Sequence, residues 1–215
     1  NFMKKKNYSI FDLIIKLPSN KIFKINNIVV NLIGDHNITN ATASIAIALN
    51  LGIKVIKIKK ALKKFLGIQR RFTKVFTIKK REFYDDYAHH PTEIKAVIDS
   101  ARQVNKNRKI ICVFQPHRHS RVKALKNEFA QSFKSCDVVV LCPVYSAGEK
   151  PINIFSQENF SNLISKKSNI QVVNLKNKKE LKSYFIKNLI EDEMVICMGA
   201  GSISSWVREI GDELK

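Results

Sequence analysis

A chain of 215 residues with 45% apolar side chains is long enough to bury a sizeable core, which excludes a disordered protein. Its formal net charge of +20, from 38 Lys and Arg against 18 Asp and Glu, raises nucleic acid as a partner, because clustered cations gain affinity by releasing phosphate counterions. The lysines are scattered among abundant asparagine and isoleucine, so a composition bias that decorates solvated faces is the preferred account.

Four cysteines (Cys112, Cys136, Cys142, Cys197) form no C-x-x-C pair and three sit in apolar runs, which predicts buried reduced thiols and an intracellular, cytoplasmic address. No run of 18 apolar residues occurs, and the segment "KKKNYSIFDLIIKL" is interrupted by Asp12 and Lys16, so neither a signal peptide nor a membrane span is expected. The first residue is Asn1 and not methionine, in mid-pattern, which suggests a piece of something longer. Residues 1–71 carry 14 basic against 2 acidic side chains and would favour an anionic ligand.

In chain order, "NIVVNLIG" (27–34) predicts a strand and "NITNATASIAIALNLG" (37–52) an alanine-rich helix ended by glycine, with Asn37 and Asn40 as cap and polar first turn. Residues 54–67 predict a second helix that again stops at a glycine, and a boundary falls near Arg71. "TKVFTIKKREFYDDYA" predicts a hairpin around residues 79–81, and Pro91 opens the helix "PTEIKAVIDSARQV" as a first-turn proline. Four β-branched apolar runs, at 109–115, 137–144, 169–175 and 193–199, alternate with helical patterns at about 121–134, 157–165, 178–188 and 204–214. That alternation predicts an α/β fold with a mostly parallel sheet covered by helices on both faces.

Ligands of such sheets bind beyond the carboxyl ends of the strands, and two charged clusters begin where strands end. In "DDYAHHPTEI" (85–94), Asp85, Asp86, His89 and His90 are possible metal ligands, but adjacent residues point in different directions and a four-ligand cage from one loop is disfavoured. Acid–base or binding chemistry without a metal is the better reading, since imidazole titrates near neutrality. The structural alternative is that Asp86 or His89 caps the following helix. In "FQPHRHSR" (114–121), a helix starting after Pro116 would put Arg118 and Arg121 on one face, with His117 beside Arg121, as an anion clamp. Arginine in a chain whose solvated faces are built of lysine favours recognition. "MGAGSISS" (198–205) only partly imitates a dinucleotide fingerprint and is better read as a tight structural turn; no G-x-x-x-x-G-K-[ST] loop occurs.

The ordered set "GDHNITNATASIAIA", "FLGIQRRF", "YDDYAHHPTEI", "VFQPHRHSR", "VYSAGEKPI" and "MGAGSIS" resembles the carboxyl half of the Mur ligases, from about Asn31 to the end. The resemblance implies ATP-dependent amide synthesis in peptidoglycan assembly. In the member whose motifs match best, ATP phosphorylates the lactyl carboxylate of UDP-N-acetylmuramate and the L-alanine amine attacks the acyl phosphate. It further implies that residues 1–71 are the carboxyl-terminal remnant of a central ATP-binding domain and residues 72–215 a Rossmann-like amino-acid-binding domain. By motif, His36, Asn37 and Asn40 match contacts to the adenine side of ATP, and Arg71 and Asp86 match the pair that holds its phosphate and ribose. Tyr87, His89, His90, His117, Arg118 and Arg121 match the L-alanine pocket, with His90, Arg118 and Arg121 nearest the chemistry.

The phosphate loop, the Mg2+ ligands and the UDP-sugar domain of that family have no counterpart here, so Mg2+ would be held elsewhere and these residues alone are expected to lack ligase activity. Two readings compete. A related ligase that joins a recycled murein tripeptide to the same sugar shares the "DDYAHHP"-like motif, but residues 115–121 favour alanine. A basic nucleic-acid-binding module would need interleaved exposed aromatics, which the front segment lacks. A decayed or split product that survives only as a folded domain is a third.

Overall fold

In the computed structural model, which describes residues 2–4, 8–150 and 156–214, the chain divides into two units, Asn1–Gly67 and Ile68–Lys215. Unit 1 opens with an antiparallel sheet of β1 (Phe2–Lys4), β2 (Ser9–Lys16) and β3 (Ile22–Val30), followed by α1 (Asp35–Asn50) and α2 (Val55–Lys64). Strand β2 forms from the segment weighed above as a signal peptide. Asp12, which interrupts the apolar run, accepts a hydrogen bond from the Asn27 N–H across the hairpin (2.8 Å). Ala41, Ile45 and Leu49, one turn apart on α1, pack on Phe11, Ile25, Ile28 and Val30 of the sheet and on Ile58 of α2.

Several boundaries differ from the sequence reading. Strand β3 begins at Ile22 and stops at Val30, short of Gly34. Helix α1 begins at Asp35, so Asn37 is no cap; its side-chain amide donates to the Ile33 carbonyl (2.7 Å) from inside the first turn. Helix α2 ends at Lys64, three residues before Gly67, because the Phe65 backbone is already extended. The glycine after α1 behaves as expected: Gly52 takes φ +78° just past the last turn.

Unit 2 contains β4 (Thr73–Ile78), β5 (Arg81–Asp86), α3 (Pro91–Val104), β6 (Ile110–Phe114), α4 (His119–Ala124), α5 (Lys126–Gln131) and β7 (Val138–Leu141). These are followed by α6 (Gln157–Ser168), β8 (Gln171–Asn174), α7 (Lys178–Lys187), β9 (Met194–Met198) and α8 (Ile203–Leu214). The strand order is β4-β5-β9-β6-β7-β8, and only the β4–β5 hairpin is antiparallel. Lys79 and Lys80 at its tip both have positive φ (48° and 62°), the backbone of a two-residue turn that matches strand twist. The predicted α/β class, with a mostly parallel sheet, is what the chain adopts.

The apolar runs do not alternate because both faces are covered. Ile110, Cys112 and Phe114 meet α3, α5 and α6 through Ile94, Ile98, Phe129 and Phe160. Ile111 and Val113 meet α7 and α8 through Phe185, Ile203, Val207 and Ile210. The helix expected over residues 121–134 is broken in two at Leu125 (φ −116°, ψ 24°), which lets Val122 and Phe129 reach the core from separate axes. All four cysteines are buried free thiols, and burial pushes Cys142 up to about 12. Among the described residues no helix is long and apolar enough to cross a membrane.

Candidate functional site

Strand β9, last in the chain, inserts between β5 and β6, so the loops leaving these three strands share one rim of the sheet. The end of β5 is held from within. Asp86 is buried, and its two carboxylate oxygens accept the Ala88 and Phe72 N–H groups (2.7 Å each). Burial nevertheless pushes its pKa up to about 6, with neighbouring Asp85 adding to the rise and the two N–H groups and Arg71 opposing it. Asp85 is fully buried; Oδ2 accepts from Ser204 Oγ (2.6 Å) and Arg208 Nη2 (3.1 Å).

Neither Asp86 nor His89 caps α3. His90 does: its Nδ1 accepts the Thr92 N–H (3.4 Å), while the Glu93 carboxylate accepts the His89 and His90 N–H groups (3.0 and 3.2 Å). His90 is therefore an exposed capping ring, and the imidazole that approaches the second cluster is His89. His89 Nδ1 lies 2.9 Å from the Tyr87 carbonyl and 3.4 Å from the Glu93 carboxylate, and since both only accept, that nitrogen carries a proton, which leaves Nε2 as the lone-pair position of the neutral ring.

The rings form an arc along the rim. Arg70 Cζ sits 4.6 Å from the Tyr87 ring centre and Arg71 Cζ 5.9 Å from it. Tyr87 meets His89 (5.1 Å), His89 meets His117 (5.8 Å), and His117 stacks on Tyr145 (5.6 Å, 17° between planes). Backbone bonds lock the last pair, Tyr145 N–H to the Pro116 carbonyl (2.8 Å) and Arg118 N–H to the Tyr145 carbonyl (2.9 Å). Arg121 Nη1 lies 3.4 Å from His117 Nδ1, so the guanidinium donates and neutral His117 carries its proton on Nε2. Burial lowers the His117 pKa, and the charges of Arg121, His89 and Arg118 lower it further. In their neutral tautomers the two imidazoles would be complementary, His89 with a lone pair on Nε2 and His117 with an N–H there.

The expected helix-end clamp is corrected. Arg118 precedes α4 with φ +70° and shares no helix face with Arg121, because α4 begins one residue later, at His119. The start of α4 is met by the chain's own carboxylate: Glu149 accepts from the Ser120 N–H and hydroxyl, which holds its pKa down. What remains for an anion is Arg121 beside His117, together with the exposed Arg118. The expected contact between His117 and Arg121, four residues apart, does form.

The turn after β9 buttresses the arc from behind. Buried Gln115 donates to Ser202 Oγ (3.0 Å) and accepts the Ile203 N–H (3.0 Å). A Cβ on Gly201 would lie 2.5 Å from the Tyr145 ring and 2.6 Å from Gln115 Oε1, so the "GAGS" turn is glycine for lack of room.

His36, Asn37 and Asn40 lie on the first turns of α1 in unit 1, with Asn37 and His36 half-buried and Asn40 exposed. Among the described residues no group of three or more His, Cys, Asp or Glu side chains gathers that could hold a metal ion. Sequence reasoning passed over Arg70, Gln115, Glu149 and Tyr145 as site residues. Tyr145 and Gln115 follow strand ends, which was a usable signal; Arg70 carried none.

Residues 70–201 match the Mur ligase glutamate ligase domain. With the six-stranded sheet and the rim just described, this places the chain in the Mur ligase family. Among its relatives is the UDP-N-acetylmuramate–L-alanine ligase of Pelagibacter ubique, 47% identical over 210 residues, which are 98% of this chain and 45% of that protein. The enzyme of the same name from Agrobacterium fabrum is 41% identical over 208 residues, 96% of this chain and 44% of that one. The chain thus spans less than half the length of the curated relatives it matches. The crystal structure of UDP-N-acetylmuramate–alanine ligase from Thermotoga maritima superposes with a TM-score of 0.77 at 24% identity, covering 100% of this chain and 44% of that one. A murein peptide ligase from Psychrobacter arcticus superposes at 0.63 and 21% identity, over 89% and 39% of the two chains. At such identities the two structures speak for the fold.

Proposed function

We propose that this chain serves ATP-dependent ligation of L-alanine to UDP-N-acetylmuramate through an acyl phosphate in cytoplasmic peptidoglycan synthesis. Unit 2 would receive the amino acid and unit 1 would belong to the ATP-binding domain. The observation that carries the reading is the meeting of His89 and His117 at 5.8 Å with Arg121 against His117. A zwitterion needs cations for its carboxylate and a lone pair for its amine. Arg118, Arg121 and the His117 N–H suit the first, and Nε2 of His89 in its neutral form suits the second. Tyr87 and Tyr145 then wall the site on either side. His90, engaged as a cap, acts in this reading by fixing the start of α3. Holding two reactants in line supplies about 7–11 kcal/mol in good intramolecular reactions, so positioning is the principal task of such a rim.

For ATP, the residues present fit the group in kind. The carboxamides of Asn37 and Asn40, with His36 beside them, offer the paired donors and acceptors that a purine edge requires. Arg71 offers an exposed guanidinium for phosphate, and each Asp86 oxygen retains lone pairs beyond the one N–H it accepts. ATP supplies the phosphoryl group that activates the carboxylate. No residue of this chain is assigned to Mg2+, and with no G-x-x-x-x-G-K-[ST] loop among these 215 residues, phosphate release from UDP-N-acetylmuramate, L-alanine and ATP by this polypeptide alone is expected to stay at background.

The test is titration of the chain with L-alanine, followed by backbone amide and imidazole carbon–proton correlation spectra. Saturable shifts at His89, His117 and Arg121, with weaker response to D-alanine, are the expected result. Equal response to both enantiomers, or none at these residues, would sink the reading.

A further inference from the structure

Arg70 has no place in the site as read from sequence, yet three independent contacts tie it to the rim. Its Nη2 donates to the Gly199 carbonyl (2.7 Å), at the turn after β9. The guanidinium carbon lies over the Tyr87 ring, 4.6 Å from its centre, while the Arg70 carbonyl accepts the Tyr87 N–H (2.8 Å). Its Nε is 3.9 Å from Oδ2 of the fully buried Asp85.

Two features show that the placement is enforced. Arg70 and Phe72 both hold left-handed backbones (φ +60° and +50°), a conformation that non-glycine residues keep only where tertiary contacts over-determine it. Arg70 Nε and Asp85 Oδ1 are both buried polar atoms without a hydrogen-bond partner among the described residues. A buried carboxylate demands compensating charge, so Asp85 draws Arg70 inward although Ser204 and Arg208 already satisfy Oδ2. Tyr87 itself is more than a third exposed, and among the described residues its ring contacts are the Arg70 and Arg71 guanidiniums and the His89 ring.

We infer that Arg70 is a positioning residue: steered by buried Asp85 and anchored on Gly199, it fixes the Tyr87 ring that opens the arc toward His89 and His117. This rests on the amino-acid pocket proposed above. Arg70 does not touch the amino acid; it removes the ring freedom that binding would otherwise have to restrict.

The test compares the wild-type chain with Arg70→Met, Arg70→Lys and a remote core variant of similar melting temperature, Phe185→Leu. Tyr87 ring signals in a tyrosine-ring-labelled sample are recorded first without ligand, then L-alanine is titrated. Arg70→Met is expected to collapse the Tyr87 ring shifts toward those of a mobile tyrosine and to weaken L-alanine about tenfold. Arg70→Lys recovers part of both, and Phe185→Leu leaves both as in wild type. Ring signals and affinity unchanged in Arg70→Met overturn the inference. A mobile ring with unchanged affinity also overturns it while leaving the pocket standing. If Phe185→Leu weakens L-alanine as much as Arg70→Met, loss of stability explains the effect and the inference fails. Absence of L-alanine binding by the wild-type chain removes the pocket and the inference together.

Discussion

At the amino ends of the unit 2 strands Arg108, Arg102 and Lys109 are matched by carboxylates and carbonyls. Arg108 donates to the Glu82 carboxylate and to the carbonyls of Lys80, Asp192 and Glu193. Arg102 spans Asp137 and the Ser135 and Arg108 carbonyls, and Lys109 pairs with buried Glu193 (2.9 Å). At the carboxyl ends the same residue types are left with work to do. Among the described residues neither Arg118 nor Arg121 has a carboxylate within ion-pair distance, and the imidazoles touch one another across gaps of ring size. One rim uses its charges to close the fold. The other holds them apart on a locked backbone, as a binding surface must.

The sharpest way to break that contrast is to delete one arginine from each rim. Arg108→Ala takes the donor from three carbonyls in a half-buried setting and leaves Glu82 with Lys74 as its remaining cation, and should cost about 3 kcal/mol in urea unfolding. Arg118→Ala should change stability by less than about 0.5 kcal/mol and act on L-alanine binding instead. Equal costs would erase the distinction.

Asp86 gives the second test, because burial favours its protonated form even though both oxygens accept backbone N–H groups. Its pKa is raised to about 6, so the folded state binds its proton more tightly than the unfolded chain does. The contribution is fully present below about pH 4 and is lost as pH rises through about 6, a change of up to about 3 kcal/mol. Relative to Asp86→Asn, which cannot titrate, the wild-type chain should lose stability between pH 4 and pH 7. A difference between the two that is flat with pH would show that burial does not hold the proton there.

How far the sequence revealed this molecule follows from what kind of force sets each feature. The parallel strands were legible because burial on both faces leaves apolar runs such as "IICVF" without alternation, and Pro91 marked α3 through its fixed φ. Strand β2 was illegible because Asp12 and Lys16 read as interruptions, when Asp12 is in fact satisfied by the Asn27 backbone across the hairpin. The two-lysine turn lacked the Asn-Gly signature, since strand pairing and not residue preference imposes its positive φ. At the site, the residue types and both clusters were legible, but their directions were not. Whether His89 or His90 turns inward is decided by Glu93 reaching back to the helix start, and the Arg118 backbone is set by the Tyr145 carbonyl, 27 positions on in the sequence. Arg70 reads as surface charge beside Arg71, because nothing local shows that Asp85, 15 positions on in the sequence, is buried within 3.9 Å of it.

A third test returns to the binding rim. Gly201→Ala places a methyl group 2.6 Å from Tyr145 Cβ and Gln115 Oε1, and since the Tyr145 backbone is held at both its N–H and its carbonyl, the loss should be about 2–3 kcal/mol. The His117–Tyr145 stack should go with it, seen as a change in the His117 ring-proton shifts. The same substitution at Gly52, which closes α1 in unit 1 with nothing within 4 Å, meets only backbone strain and should cost about 1 kcal/mol without any effect at His117.

The smallest effect is the most diagnostic of a prepared site. His117 is held below its ordinary value of 6.5, first by burial and then by Arg121, His89 and Arg118, with Glu149 pulling the other way. Its ring-proton titration should therefore have a midpoint below 6.5, so the ring is neutral at pH 7 and available to Arg121 as an acceptor. Arg121→Met removes the nearest opposing charge and should raise the midpoint; Glu149→Gln removes the supporting one and should lower it further. A bound carboxylate between the guanidiniums offsets the same positive field, so saturating L-alanine should raise the midpoint as Arg121→Met does, without removing a residue. A His117 midpoint that ignores L-alanine while responding to Arg121→Met would mean that the rim's field is real but that no carboxylate settles into it, and the two ends of the sheet would then differ in packing alone.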